Sequence, residues 1–303
     1  MPLKLEDKLV IGVSSRALFD LEAENRIFEK EGLDAYVQYQ IEHENDILKP
    51  GTAFPLVKAL QKLNADDKNL TEIIVMSKNS ADTSLRIFNS IEYYGLNISR
   101  ASLVGGASIS PYLASFKTDL FLSANERDVQ EAIDANIAAG LICDHSQLPI
   151  NPDEDIEQIR IAFDGDAVIF SDESERIYQE KGLQAFTEHE HKNAQNPLPE
   201  GPFAKLLKTI SILQQKFPEG EAPIRTALVT ARNAPAHERV VRTLRAWNVR
   251  IDEAFFLGGI EKSDVLKAFG ANIFFDDQSV HTDLASKKVP SARVPYKNEP
   301  NKM

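Results

Sequence analysis

"RIAFDGDAVIFSDESERIYQEKGL", residues 160–183, runs from an apolar strand-like segment into two aspartates one residue apart, Asp164 and Asp166, and then into helical periodicity. "VIGVSSRALFDLEAENRIFEKEGL", residues 10–33, repeats that frame with Ser14 and Arg16 where the aspartates stand. The stretches align without a gap, Arg26-Ile27 on Arg176-Ile177 and Gly32-Leu33 on Gly182-Leu183, at an offset of 150. The register continues through Ala35 and Ala185, Gly51 and Gly201, Leu56 and Leu206, and Lys58 and Lys208. It resumes at 153 with Arg86 and Arg239, Ile98 and Ile251, Gly105-Gly106 and Gly258-Gly259, Leu113 and Leu266, and Phe116 and Phe269. Such a period is far above the ~20–50 residues of solenoid repeats. It predicts duplication into two domain-sized lobes, residues 1–150 and 151–303.

Each lobe alternates short apolar runs with segments that are apolar at three- and four-residue spacing. In the second lobe the strand candidates are 159–163, 226–230, 254–257 and 272–275, with helices over "FAKLLKTISILQQKF" (203–217) and "HERVVRTLRAWN" (237–248). Strands separated by helices predict an α/β fold of Rossmann-like lobes with parallel sheets. Separate sheets are the expected packing, one pseudo-symmetric sheet the alternative. The boundary is expected in "DHSQLPINPDEDIEQ" (144–158), which is polar and holds two prolines. Residues 171–225 exceed a minimal crossover and predict either a small helical cap over the cleft or a peripheral helical pair. The tail "SKKVPSARVPYKNEPNKM" reads as surface or partly disordered.

The 303-residue chain is 43% hydrophobic and 26% charged, a globular composition. Its net charge of −12 opposes broad binding to nucleic acid polymers. No apolar run nears the ~20 residues that span a bilayer, and no signal-peptide pattern is present, so no membrane association is expected. Cys143, the one cysteine, fits a reducing cytoplasm and a core position.

Ligands of an open parallel sheet bind beyond the carboxyl ends of the strands. In the second lobe those ends carry Asp164-Gly165-Asp166, Thr230, Gly258-Gly259 with Lys262, and Asp276-Asp277. Taken singly, these are turn aspartates, a helix cap, a structural threonine and a surface lysine. Together they suit phosphoryl transfer to an aspartate supported by Mg²⁺, a hard cation that takes a few carboxylates plus phosphate oxygens. Asp164 would attack phosphorus and Asp166 would handle the leaving-group proton, while Thr230 and Lys262 bind the transferring oxygens. Lys262 is preferred to Lys267 because "KSDVLKAF" predicts a helix capped by Ser263, which leaves Lys262 in the strand-end loop. There is no Gly-rich nucleotide loop, EF-hand or Gly-x-Ser-x-Gly elbow, and "HEHKN" (189–193) reads as a solvated polar segment.

At these residues the sequence resembles the haloacid dehalogenase-like phosphatases, ordered Asp-x-Asp, Ser/Thr, Lys, acidic pair. More closely, "SSRALFDLE", "YQIEHEND", "PGTAFPLVKAL", "AFDGDAVIFSDESERI", "EGPFAKLLKTI", "IRTALVTAR", "FFLGG", "IFFDDQ" and "VPYK" resemble the cytosolic 5′-nucleotidase type I family across nearly the whole chain. The resemblance implies a cytoplasmic enzyme that hydrolyses nucleoside 5′-monophosphates. It implies Asp164 as nucleophile, Asp166 as acid and base, Thr230 and Lys262 on phosphate, and Mg²⁺ held by Asp164, the Asp166 carbonyl, Asp276 and Asp277. Arg232 is a further candidate for holding phosphate or ribose. Sugar phosphates are an alternative substrate class, and a nucleotide-binding regulator without turnover an alternative function.

In the first lobe the register sets Ser14, Arg16, Ser77, Ile109 and Ser123-Ala124 against these positions. Every carboxylate and the lysine are gone, so this lobe is expected to be non-catalytic. Arg16 and Asn79 are its candidates for contacting the substrate nucleoside or a regulatory nucleotide at the lobe interface, with turn chemistry the alternative at Asn79, and self-association into a homo-oligomer stays open.

Overall fold

The computed structural model describes residues 5, 7–143, 150–218 and 220–298. Ten strands are formed: β1 Leu9–Val13, β2 Thr71–Ser77, β3 Arg100–Leu103, β4 Leu120–Ser123, β5 Ala138–Ile142, β6 Ile159–Phe163, β7 Ile224–Thr230, β8 Glu253–Phe256, β9 Ile273–Asp276 and β10 Ser291–Arg293. Residues 144–149 of the expected boundary lie outside the described residues, and 150–158 form neither helix nor strand.

All ten strands make one sheet in the order β3-β2-β1-β4-β5-β10-β9-β6-β7-β8. Every neighbouring pair is parallel except β5 and β10, where Ala292 faces Ile142 and Arg293 faces Leu141 antiparallel. Read from its outer edge inward, each half has the same arrangement, 3-2-1-4-5 and 8-7-6-9-10. The expectation of separate sheets is thereby corrected. Two separate sheets would each leave an inner edge of unpaired N–H and C=O groups, and the β5–β10 ladder removes both edges. Gly140 permits this join, because a Cβ there would lie 2.8 Å from Ala292 Cβ and 2.9 Å from the Phe275 ring.

The tail expectation is corrected by the same ladder for residues 291–294, while 299–303 lie outside the described residues. "SAR" is the central β10, with Ala292 and Val294 fully buried. Its short run between prolines carries little apolar signal, and it is held by neighbours on both sides.

β1 and β2 are buried at every residue. That is why parallel strands read as continuous apolar runs rather than alternating ones. One apolar cluster joins the halves, from Val13 and Phe121 to Phe163 and Phe275. Residues 171–225 hold the helix Glu173–Lys192, broken at Gly182, and the helix Ala204–Gln214. The first half has the matching pair Glu22–Glu31 and Leu33–Glu42, broken at Gly32.

Candidate active site

β6 ends at Phe163, and the Asp164 N–H still donates to Phe275 O on neighbouring β9, at 2.8 Å. Asp164 is thus held to the sheet by backbone while its carboxyl enters the space beyond the strand ends. The following turn, Gly165–Ile169, is one residue wider than its counterpart Ser15–Leu18, and Ala167 takes φ +59° within it. Wide turns of this kind recur at functional sites. Gly165 packs close to β7, where a Cβ would stand 3.4 Å from Thr230 Oγ1. The Thr230 hydroxyl itself accepts from the Arg232 N–H at 3.2 Å.

Lys262 Nζ donates to Asp164 Oδ1 at 2.7 Å and to Asp276 Oδ2 at 2.6 Å. Only 3% of this lysine is exposed, whereas Lys267 lies on the surface. Lys262 precedes the helix Ser263–Phe269 and occupies its N-cap position, so the expected cap is displaced by one residue. Ser263 instead binds Glu261, through its N–H at 2.7 Å and its hydroxyl at 2.6 Å. Burial pulls the Lys262 ammonium down, but the Asp164 and Asp276 charges outweigh it and hold its pKa above the ordinary value.

Asp277, one residue past β9, completes a buried trio in which Asp164, Asp276 and Asp277 each offer an oxygen within 4.8 Å of the others. Burial, then the Asp164 and Asp276 charges, push the Asp277 carboxyl up to about 8. Burial likewise drives Asp164 up to about 6 against the pull of Lys262. Three crowded carboxyls facing one ammonium form an oxygen-only donor set whose charge a small divalent cation would balance, which is the donor chemistry Mg²⁺ prefers. The Gln278 N–H fixes Asp276 Oδ1 at 2.9 Å, and the Tyr296 hydroxyl, from the tail, donates to Asp277 Oδ2.

The bonds of the Asp166 side chain are to Arg232 rather than to this trio. Arg232 grips Asp166 with two parallel bonds, Nε to Oδ2 at 2.8 Å and Nη2 to Oδ1 at 2.6 Å. Arg232 Nη1 donates to Glu190 Oε2 at 2.5 Å. Glu190 is completely buried and receives Arg239 Nη1 and Ser174 Oγ, each at 2.9 Å, on its other oxygen. The solvated reading of "HEHKN" is thus corrected: burial alone would raise Glu190, but Arg232, Ser174 and Arg239 together hold its pKa below the ordinary value. The nearest sequence signal was Gln40, its polar counterpart 150 residues earlier.

Arg16 and Asn79 do not join this group. They follow β1 and β2, and the antiparallel β5–β10 join sends the first half's strand ends to the opposite edge of the sheet. β1 and β6 are also five strand spacings apart, roughly 24 Å at about 4.8 Å each. Arg16 Nη2 binds Glu22 Oε1 at 2.6 Å, and the Tyr36 hydroxyl donates to Asn79 Oδ1 at 3.2 Å. Within one chain they therefore do not reach Asp164.

The family whose sequence model matches residues 1–301 is described as 5′-nucleotidase. The human protein named cytosolic 5′-nucleotidase 1B is 42% identical over 298 residues, which cover 94% of this chain and 48% of that protein. The chain thus spans about half the length of this curated relative. No solved structure matches.

Proposed function

The chain belongs to the 5′-nucleotidase family, and from that membership we propose that it hydrolyses nucleoside 5′-monophosphates to nucleosides and phosphate. The observation that carries this reading is the meeting of Asp164, Lys262, Asp276 and Asp277 at one strand edge, with Thr230 beside the turn that follows Asp164. Asp164 attacks phosphorus, and the P–O bond to the nucleoside 5′-oxygen breaks as Asp166 gives that oxygen its proton. Asp166, now ionised, takes a proton from the water that splits the aspartyl-phosphate and frees Asp164. Thr230 and Lys262 hold the phosphoryl oxygens as their charge develops. Asp164, Asp276 and Asp277 would hold Mg²⁺, which supplies neutralisation of that charge.

The matching strand orders and the shared register support a reading of the halves, 1–150 and 151–303, as duplicated haloacid dehalogenase-like lobes. Only the second would be catalytic, with 171–225 as its cap-like insertion. The first completes the sheet. No described helix is long and apolar enough to cross a membrane. A cytoplasmic location is carried over from the relative's name.

Phosphate release from nucleoside monophosphates and sugar phosphates, with and without Mg²⁺, tests the reading. Metal-dependent release that favours nucleotides and vanishes in Asp164→Asn is expected. Undiminished turnover in that variant, or a preference for sugar phosphates, would refute it.

A further inference from the structure

Both halves build a related anchor, with equivalent arginines but a carboxylate from Glu190 in one and from Glu24, the register match of Ser174, in the other. Arg239 Nε donates to Asn196 O at 2.9 Å, and its counterpart Arg86 donates to Asp46 O at 2.8 Å. Arg239 Nη1 reaches the carboxylate of Glu190, and Arg86 Nη1 that of Glu24, the latter at 2.7 Å. Thr243 and Ser90 are also equivalent: their hydroxyls accept from the Leu198 and Leu48 N–H groups at 2.8 and 3.0 Å. These contacts belong to the scaffold, since they persist where the catalytic carboxylates are absent.

The line Glu190–Arg232–Asp166 has no such counterpart. Its positions in the first half hold Gln40, Asn79 and Arg16, which make no ion pair with one another. A buried charge line costs desolvation and is kept only where every member is paired. Here it occurs solely in the half that carries Asp164. Glu190 engages Nη1 of both Arg232 and Arg239, and the centre of the Phe186 ring lies 5.3 Å from the Arg232 guanidinium. Arg232 is left one planar orientation, with its Nε and Nη2 edge toward Asp166. The Glu173–Lys192 helix, which carries Glu190 and Phe186, therefore reaches into the site through this contact.

Resting on the proposed hydrolysis, we propose that Glu190 is a positioning residue that acts through Arg232 to orient the Asp166 carboxylate toward the leaving oxygen. It touches neither the phosphate nor the nucleoside.

The test is the leaving-group dependence of Glu190→Gln, which keeps the shape but removes the charge and turns one accepting oxygen into a donor. A nucleoside leaves as a poor alkoxide that needs a proton, whereas p-nitrophenolate leaves without one. Loss of an oriented general acid should lower kcat for nucleoside 5′-monophosphates by about 100-fold, within the range of general acid catalysis, with KM little changed. The first burst of p-nitrophenolate from p-nitrophenyl phosphate should slow less than about 3-fold, since that step needs no proton from Asp166, whereas its steady-state turnover still needs Asp166 as base. In an Asp166→Asn background the same substitution should add no further loss on nucleotides. A p-nitrophenolate burst slowed as much as nucleotide turnover, no loss on nucleotides, or a full additional loss in the double variant would overturn the proposal. Should Glu190→Gln fail to fold, Glu190→Asp keeps the charge, shortens the reach, and must show the same selectivity. A wild-type chain that releases phosphate from neither substrate overturns the hydrolase reading as well, whereas an active wild type with an unselective variant overturns only the role of Glu190.

Discussion

Asp119 and Asn272 do the same work at equivalent places in the two halves of the sheet. Asp119 Oδ2 accepts the N–H of Val10 at 3.0 Å, and Asn272 Oδ1 accepts the N–H of Arg160 at 2.7 Å. Each side chain ties the strand leading to the turn at residue 14 or 164 to the strand beside it. One does so with a buried acid, the other with a neutral amide.

The difference predicts a pH dependence. Burial raises the Asp119 pKa, and the Val10 N–H and Lys205 offset this only in part. A carboxyl whose folded pKa exceeds its unfolded value binds its proton more tightly when folded. Its contribution is therefore favourable at acid pH and is lost as pH rises from about 3.9 through the raised value. Asp119→Asn keeps an acceptor for Val10 and has no such loss. Denaturant unfolding should find the variant more stable than the parent at pH 7, with the gap closing as pH falls toward 4. A variant less stable at pH 7 would contradict this.

Gly201 and Gly51 lie where the chain returns beside the strand-end turns, at the bridges Phe170–Glu200 and Phe19–Pro50. A Cβ at Gly201 would fall 2.2 Å from Phe170 O, and one at Gly51 2.8 Å from Ala17 O. Both contacts are to backbone, which cannot swing aside. Gly201→Ala should cost at least the ~1–3 kcal/mol typical of overpacking, and more than Gly51→Ala. Only Gly201→Ala should also lower phosphate release, because the displaced segment continues from the Asp166 turn. Thermal unfolding and initial rates on the two variants check both statements.

Much of the site was legible because its groups sit at the ends of apolar runs, where a parallel sheet gathers ligands. The choice of Lys262 over Lys267 followed from one helix boundary. The opposite edges of the two halves were not legible, because they depend on β10, three residues whose pairing comes from β5 and β9 rather than from their own composition. Glu190 was missed for a related reason: it is buried by arginines 42 and 49 residues away. The ungapped register also hid the extra residue in the Gly165–Ile169 turn, since a compensating deletion follows in the next helix.

Tyr296 is predicted to tune the acidic trio from the tail. Its hydroxyl donates to Asp277 Oδ2, while 42% of the residue remains exposed, so removing the hydroxyl spares the core. Partners that orient a metal-binding carboxylate are typically worth ~10–100-fold in metal affinity or activity. Tyr296→Phe should raise the Mg²⁺ concentration for half-maximal turnover by about that factor with the melting temperature unchanged. An unaltered Mg²⁺ requirement would remove Tyr296 from the site.

Lys262 separates the cost of the site from its chemistry. Its ammonium is the one cation bonded to both Asp164 and Asp276 among the described residues, and Asp276 is fully buried. Lys262→Met keeps the apolar stem but leaves two buried carboxyls without their partner. Breaking a buried pair in this way typically costs ~3–5 kcal/mol. The metal-free variant should unfold at lower denaturant by that amount. A cation binding the folded acidic trio stabilises by mass action, so added Mg²⁺ should recover part of the loss, and more than it adds to the parent. Recovery of stability should not bring recovery of turnover, because the phosphoryl oxygens would still lack the Lys262 donor. Equal Mg²⁺ effects on the two chains would count against a metal at this trio. Restored turnover at saturating Mg²⁺ would reduce Lys262 to a structural counter-charge.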